Sequence, residues 1–331
     1  MKNCYVHVGI HKTGSTSIQQ WLVSNEARLR DADVLVPTAG RAAPHIAAHH
    51  HVAFDLNGDP QLDRTKGCLS ALVEELKSST LGNAVVSSED LSFSALHPSR
   101  LQRLQAALGE AGFRPVWIVY LRPPAGWLDS AYAEMSKALL VTRRFEQWLA
   151  QAADRTLVYQ VGKLLDSLSA TGHPVKLRSF AVACRRGLAA DFLDCLQIDD
   201  EPSLWTEVAS INERPQVLWV EYFRLLARFV AVNELNARRP EFVARSRAAL
   251  RLLPKSPPFV GMTESLANTV IAQTRKEHEH ALRMAGYEGS FEDFFPAESF
   301  IPTEYRQDKA PPREKRAIRD AVLRTLLTRP S

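Results

Sequence analysis

Between Gly9 and Gly14 the chain reads G-I-H-K-T-G and continues S-T-S. Lys12 supplies a cation there, and Thr13, Ser15, Thr16 and Ser17 supply hydroxyls. Val6, Val8 and Ile10 alternate like a strand before this stretch, while Ile18, Trp21 and Leu22 follow at helical spacing. A loop set between strand and helix turns successive N–H groups into one hollow at the positive end of the helix. Such a hollow favours phosphate or sulfate. Gly9, Gly14 and Thr16 have the spacing of a nucleoside-triphosphate loop, G-x-x-x-x-G-K-[ST], but Ser15 stands where the lysine belongs. That lysine reaches the β- and γ-phosphates, so its replacement argues against γ-phosphoryl transfer. On these residues alone, a plain strand-to-helix turn stays open as an alternative.

A second group of residues lies about 110 positions on. The apolar run Pro115–Arg122 ends in a guanidinium, and Ser130 follows eight positions later in W-L-D-S-A-Y. An arginine fork matches a phosphate with charge-assisted hydrogen bonds, although a surface or salt-bridged arginine is the commoner meaning of a single Arg. Glu89 ends the run A-V-V-S-S-E. It is a candidate base if that strand opens onto the same cleft, and otherwise a turn cap or ion-pair partner. Ser87 and Ser88 precede it. His45, His49, His50 and His51 form a cluster in which His45 and His49 have the i, i+4 spacing of a helical metal pair. No further ligand follows at a telling interval, so no metal is assigned; an acceptor-side role, an alternative base or a structural cluster remain open. His7 and His11 read as packing and loop residues, and the six tryptophans mainly as core.

H-K-T-G-S-T-S resembles the 5′-phosphosulfate loop of sulfotransferases, P-K-[ST]-G-[ST]-[ST], with His11 in place of proline. Those enzymes transfer sulfate from 3′-phosphoadenosine 5′-phosphosulfate (PAPS). They hold its 3′-phosphate with an arginine and a serine spaced like Arg122 and Ser130. V-K-L-R-S-F and G-L-A-A-D-F-L-D-C-L-Q-I-D are similar to a strand and helix of bacterial carbohydrate-type sulfotransferases. S-I-N-E-R-P falls where those proteins often carry an Asn/Ser-rich turn. The resemblance covers roughly residues 4–290, with only the two anion motifs specific. It implies a P-loop-related sulfotransferase fold and PAPS as co-substrate, bound by Lys12, Thr13, Gly14, Ser15, Thr16, Ser17, Arg122 and Ser130. It also implies catalytic roles for Lys12 and Glu89, and a hydroxyl acceptor of carbohydrate or glycolipid type.

The elements that must position these residues follow from periodicity. Helical spacing runs from Ser15 to about Leu29, over 67–81, through Leu101, Leu104 and Leu108, and over Trp127–Leu139. Strand patterns occupy Asp33–Pro37, Asn83–Ser92, Pro115–Arg122 and His173–Phe180; the His-rich stretch 38–66 has no clear pattern. From residue 186 onward helices dominate, at 188–196, 214–235, 263–286 and 313–328, broken by connectors such as L-P-K-S-P-P-F. The alternation predicts an α/β fold with a central, mostly parallel sheet flanked by helices. The chain reads as a single domain, 1–331, with an α/β core over 1–185 and a helical part over 186–331 packing on it.

With 331 residues and 45% hydrophobic content, the chain has the makings of a sizeable core. A net charge of +4 suits a local anion site and argues against a nucleic-acid-coating protein. Cys4, Cys68, Cys184 and Cys195 show no paired spacing, which predicts neither a disulfide framework nor a zinc knuckle. The absence of a leader-like pattern and of a run of about 18–20 apolar residues predicts a cytoplasmic protein without a membrane span. Two rivals stay open: a nucleotide-dependent kinase with an aberrant loop, and a non-catalytic nucleotide- or sulfate-binding protein of the same fold.

Overall fold

Strands rich in Val, Ile and aromatic residues, buried on both faces, belong in the middle of a parallel sheet. The sheet has five strands, β1 (Lys2–His7), β2 (Val34–Leu35), β3 (Asn83–Ser87), β4 (Phe113–Leu121) and β5 (Val175–Ser179), of which β3 and β4 are largely buried and the edge strand β5 is half-buried. Their order is β2-β3-β1-β4-β5 and every pairing is parallel. The computed structural model describes residues 2–152, 156–208, 214–230, 241–242, 245–303, 305 and 310–327. The chain divides into two compact units, Met1–Pro123 with Tyr159–Ile211 and Thr274–Ala297, and Pro124–Val158 with Asn212–Gln273 and Glu298–Ser331.

The helices in chain order are α1 (Ser15–Ser24), α2 (Glu26–Asp31), α3 (His50–Asn57), α4 (Leu69–Ser78), α5 (Leu91–Ala95), α6 (Pro98–Glu110), α7 (Pro124–Lys137), α8 (Phe145–Ala152), α9 (Val161–Ser169), α10 (Phe180–Arg186), α11 (Leu188–Leu196), α12 (Val217–Phe229), α13 (Glu264–Met284), α14 (Phe291–Phe294) and α15 (Pro312–Leu327). In the first unit, Tyr5, Val85, Ile118 and Tyr120 on one sheet face pack against Ile18, Trp21 and Leu22 of α1 and Phe192 and Leu193 of α11. Helix α6, with Leu101, Leu104 and Leu108 buried, packs along β4. The α/β architecture with a parallel sheet flanked by helices is therefore the one the alternation predicts.

Beneath β4 the Asp191 carboxylate binds three donors. The Tyr120 hydroxyl donates to Oδ1 at 2.8 Å, and Arg178 donates through Nε at 2.9 Å and Nη2 at 2.5 Å. Hydrogen bonding to Asp191 raises the Arg178 pKa, and burial first, then the nearby negative charges, raises that of Tyr120.

In the second unit α12 packs on α7 and α15. The Tyr222 hydroxyl meets Thr325 Oγ1 at 2.6 Å and donates to Ser246 Oγ at 3.1 Å. Glu221 and Arg224, both buried, pair at 2.6 Å, and Asp129 accepts from the Gly261 and Met262 N–H groups.

Several boundaries differ from the periodicity. The helix expected from Ser15 to Leu29 is broken at Asn25, whose side chain donates to the carbonyls of Trp21 and Thr206 and pulls the chain out of register. The strand expected over Asn83–Ser92 ends at Ser87, and β1 ends at His7. Helix α3 fills part of the unassigned 38–66 stretch, and α8 and α9 form where no pattern was assigned. Of the helix expected over 214–235, Val217–Phe229 is present. Positions 231–235, Ser210–Glu213 of S-I-N-E-R-P, Gln307–Lys309 and Thr328–Ser331 of the tail lie outside the described residues. Among the described residues no helix is long and apolar enough to cross a membrane. The four cysteines are free thiols.

Replacing Asp191 with alanine strips the partner from a buried hydroxyl and a largely covered guanidinium. The expected loss is about 2–3 kcal/mol of unfolding free energy, read as a lower urea midpoint at an unchanged m-value. A shift below about 0.5 kcal/mol would contradict a structural role for this network.

Candidate functional site

Parallel sheets present ligands at the carboxyl ends of their strands. Past the end of β1, the chain stays bonded to β4: Val8 N–H donates to Ile118 O, Tyr120 N–H to Gly9 O and Ile10 N–H to Tyr120 O, at 2.7–3.2 Å. Lys12 follows two residues after Ile10, and Arg122 follows two residues after Tyr120. The loop and the arginine thus leave neighbouring strands at one end of the sheet. Arg122 is half-buried, and its charge acts on the Cys184 thiol of α10, pulling down a pKa that burial pushes up.

The loop is shaped for close approach. Gly9 (φ 91°) and Gly14 (φ 79°) have left-handed backbones, and Lys12 adopts φ 65°, unusual for a residue with a side chain. A Cβ on Gly9 would come within 3.0 Å of Glu89 Cα, and one on Gly14 within 2.8 Å of Phe180 and Leu188. The Thr13 hydroxyl donates to Ile10 O at 2.5 Å and braces the loop across itself, which leaves its backbone as the part of Thr13 that can meet a ligand. Helix α1 has no side-chain cap and no acidic residue in its first turn. The Ser15 hydroxyl is buried without a hydrogen-bond partner. A donor left in this state at a helix N-terminus fits an anion seated in the loop. Thr16 and Ser17 are half-buried, and a cavity of about 190 Å³ opens beside Ser17, walled by Ile18, Trp21, Leu188 and Phe192.

Glu89 stands against the loop, two residues beyond β3. Gln19 Nε2 donates to its Oε2 at 2.8 Å and fixes the carboxylate. Asp90 lies beside it, with Oδ1 3.4 Å from His11 Nε2 and Oδ2 3.0 Å from His50 Nδ1. Burial opposes the Asp90 charge, but the hydrogen bonds from His11 and His50 outweigh it and hold the carboxyl well below the usual range. His50 also meets Ser88 Oγ at 2.9 Å. Burial lowers its pKa, yet the Asp90 hydrogen bond and the charges of Glu89 and Asp90 raise it on balance.

The histidine cluster separates by role. His49 is fully buried, with Nε2 against Pro37 O at 2.9 Å and Nδ1 receiving the Ser87 N–H at 3.1 Å, so its lone pair is occupied. His51 Nδ1 accepts from Asp63 N–H, His45 is exposed, and Asp55 bonds Leu69 N–H and Arg103. Among the described residues no three potential ligands stand together as a metal site. His7 packs in the core with Nδ1 2.8 Å from Ser87 Oγ.

The first unit therefore brings together Lys12, Thr13, Gly14, Ser15, Thr16, Ser17, Glu89 and Arg122. Ser130, half-buried on α7, belongs to the second unit. Gln19, Asp90 and the inward turn of His50 escape sequence reasoning. Gln19 lies one helical turn after Ser15, on the same face, and that spacing is the signal that finds it. No family model, curated protein or solved structure matches the chain.

Burial holds His7, His49 and His278 neutral and pushes each down to about 4. Between about pH 4 and 6.5 the unfolded chain binds protons on these rings that the fold excludes, so stability falls as pH falls through that range. His50 runs oppositely: its contribution is full below about pH 6.5 and is lost as pH rises through its raised value. The unfolding free energy from urea titration should therefore drop on acidification, by up to about 1.4 kcal/mol per pH unit for each buried ring. His49→Gln should flatten the slope by about one proton; an unchanged slope would contradict a buried neutral His49.

Proposed function

We propose that the protein is a PAPS-dependent sulfotransferase acting on a hydroxyl acceptor of carbohydrate or glycolipid type. The observation that carries this reading is the loop at the end of β1: a buried, unpartnered Ser15 hydroxyl, uncapped helix N–H groups and two glycine cradles, with Glu89 against it. Arg122 leaves the adjacent strand at the same end of the sheet. The donor supplies an electrophilic sulfuryl group joined to a phosphate leaving group. In this reading the loop N–H groups, Ser15, Thr16, Ser17 and Lys12 hold the phosphosulfate arm, and the apolar cavity at Ser17 takes the adenine. Arg122 takes the 3′-phosphate.

The acceptor oxygen forms its bond to sulfur as the sulfur–oxygen bond to phosphate breaks and the electron pair leaves with the phosphate. Lys12 and the loop amides face the negative charge that grows there, typically the larger catalytic contribution. Glu89, oriented by Gln19, takes the acceptor proton, a role worth about 10²–10⁴-fold. A binding protein of the same shape needs Lys12 and Arg122 but no base, so two variants separate the readings. Arg122→Ala should weaken binding of 3′-phosphoadenosine 5′-phosphate in calorimetry by about 2–5 kcal/mol. Glu89→Gln should bind it normally and lower turnover by about 10²-fold or more. Unchanged affinity in the first variant, or full activity in the second, would overturn the corresponding assignment.

A further inference from the structure

The second unit carries a groove of about 540 Å³ between α12 and α15 that the proposed sulfuryl transfer does not use. Its lining on α15 falls at i, i+3/i+4 and i+7 spacing, so one helix face borders the groove. That face is split by chemistry. Lys315, Arg316 and Arg319 line its first half beside Pro312 and the buried Ile318, and the second half, Val322, Leu323 and Leu326, is wholly apolar. Phe229 of α12 lines the groove as well. Phe229 is 66% exposed and Leu323 47%, so two large apolar side chains of the groove lie open to solvent.

The charge is one-sided. Among the described residues Lys315 and Arg316 make no ion pair, and Arg319 meets only its exposed neighbour Asp320 at 3.6 Å. The carboxylates that act on Tyr305 in the groove are Glu221, already buried against Arg224, and Glu314. From Arg316 to Leu326 the helix rises about 15 Å, the reach of a medium-length alkyl chain. The volume falls in the range of small-molecule sites.

We propose that this groove binds an anionic amphiphile with a single alkyl tail. The head group lies against Lys315, Arg316 and Arg319, and the tail lies along Phe229, Val322, Leu323 and Leu326. Titration calorimetry of the full chain with dodecyl phosphate, below its micelle-forming concentration, tests this. The expected result is saturable one-to-one binding, with dodecanol and inorganic phosphate each at least about tenfold weaker. Arg316→Glu combined with Arg319→Glu should remove the preference for the phosphate head. Leu323→Gln, at a half-exposed position that leaves the fold intact by circular dichroism, should weaken dodecyl phosphate about tenfold. Equal binding of dodecanol, full affinity in the charge-reversed variant, or association with phosphatidylglycerol vesicles without binding of the dispersed amphiphile would each overturn the proposal.

Discussion

The candidate site depends on backbone hydrogen bonds that continue past the regular end of a strand. After β1 stops at His7, the Val8, Gly9 and Ile10 peptides keep exchanging bonds with Ile118 and Tyr120 of β4. Each such bond adds only about 1 kcal/mol net, but together they fix where the loop starts relative to Arg122. These bonds carry the β1–β4 pairing on to Ile10, two residues before Lys12. The left-handed backbone at Gly9, Lys12 and Gly14 is affordable because both flanks, β4 and α1, are held.

Polar groups at the end of β3 are arranged so that few carry a charge without a partner. Asp90 takes His11 and His50, Glu89 takes Gln19, and the serines on either side of the strand end take His7 and His50. The network joins the loop, α1 and α3 to one strand end. It explains why a stretch as polar as S-S-E-D sits where an apolar strand terminates: ordered polar groups in a partly buried place stay satisfied only in concert. The same arrangement leaves the buried Ser15 hydroxyl without a hydrogen-bond partner.

Much of this was legible in the sequence. Alternating apolar runs identified the sheet and its parallel character, and the glycines around Lys12 identified the loop. Glu89 was singled out by its place at a strand end and Arg122 by its spacing to Ser130, and they lie just past β3 and just past β4. What escaped was set by tertiary contact rather than by period. Asn25 breaks a helix through a hydrogen bond to Thr206, a partner about 180 positions away. His49 and His50 are adjacent and chemically identical, yet one closes onto the Pro37 carbonyl and the other turns to Asp90. No local pattern distinguishes them. The short helix α3 that carries His50 lies in a stretch whose apolar residues, Val52, Ala53 and Leu56, are too few to announce a period.

The central claim is that one adenosine, phosphorylated at both the 3′ and 5′ positions, satisfies the Lys12 loop and Arg122 together. The direct measurement compares thermal unfolding of the protein with 3′-phosphoadenosine 5′-phosphate, with 5′-AMP and with ATP plus Mg²⁺ at equal concentrations. A ligand that binds only the folded chain raises the transition in proportion to the logarithm of its saturation. The account predicts a clear upward shift with the bisphosphate and a much smaller one with the other two. A larger shift with ATP and Mg²⁺, or equal shifts with AMP and the bisphosphate, would contradict it.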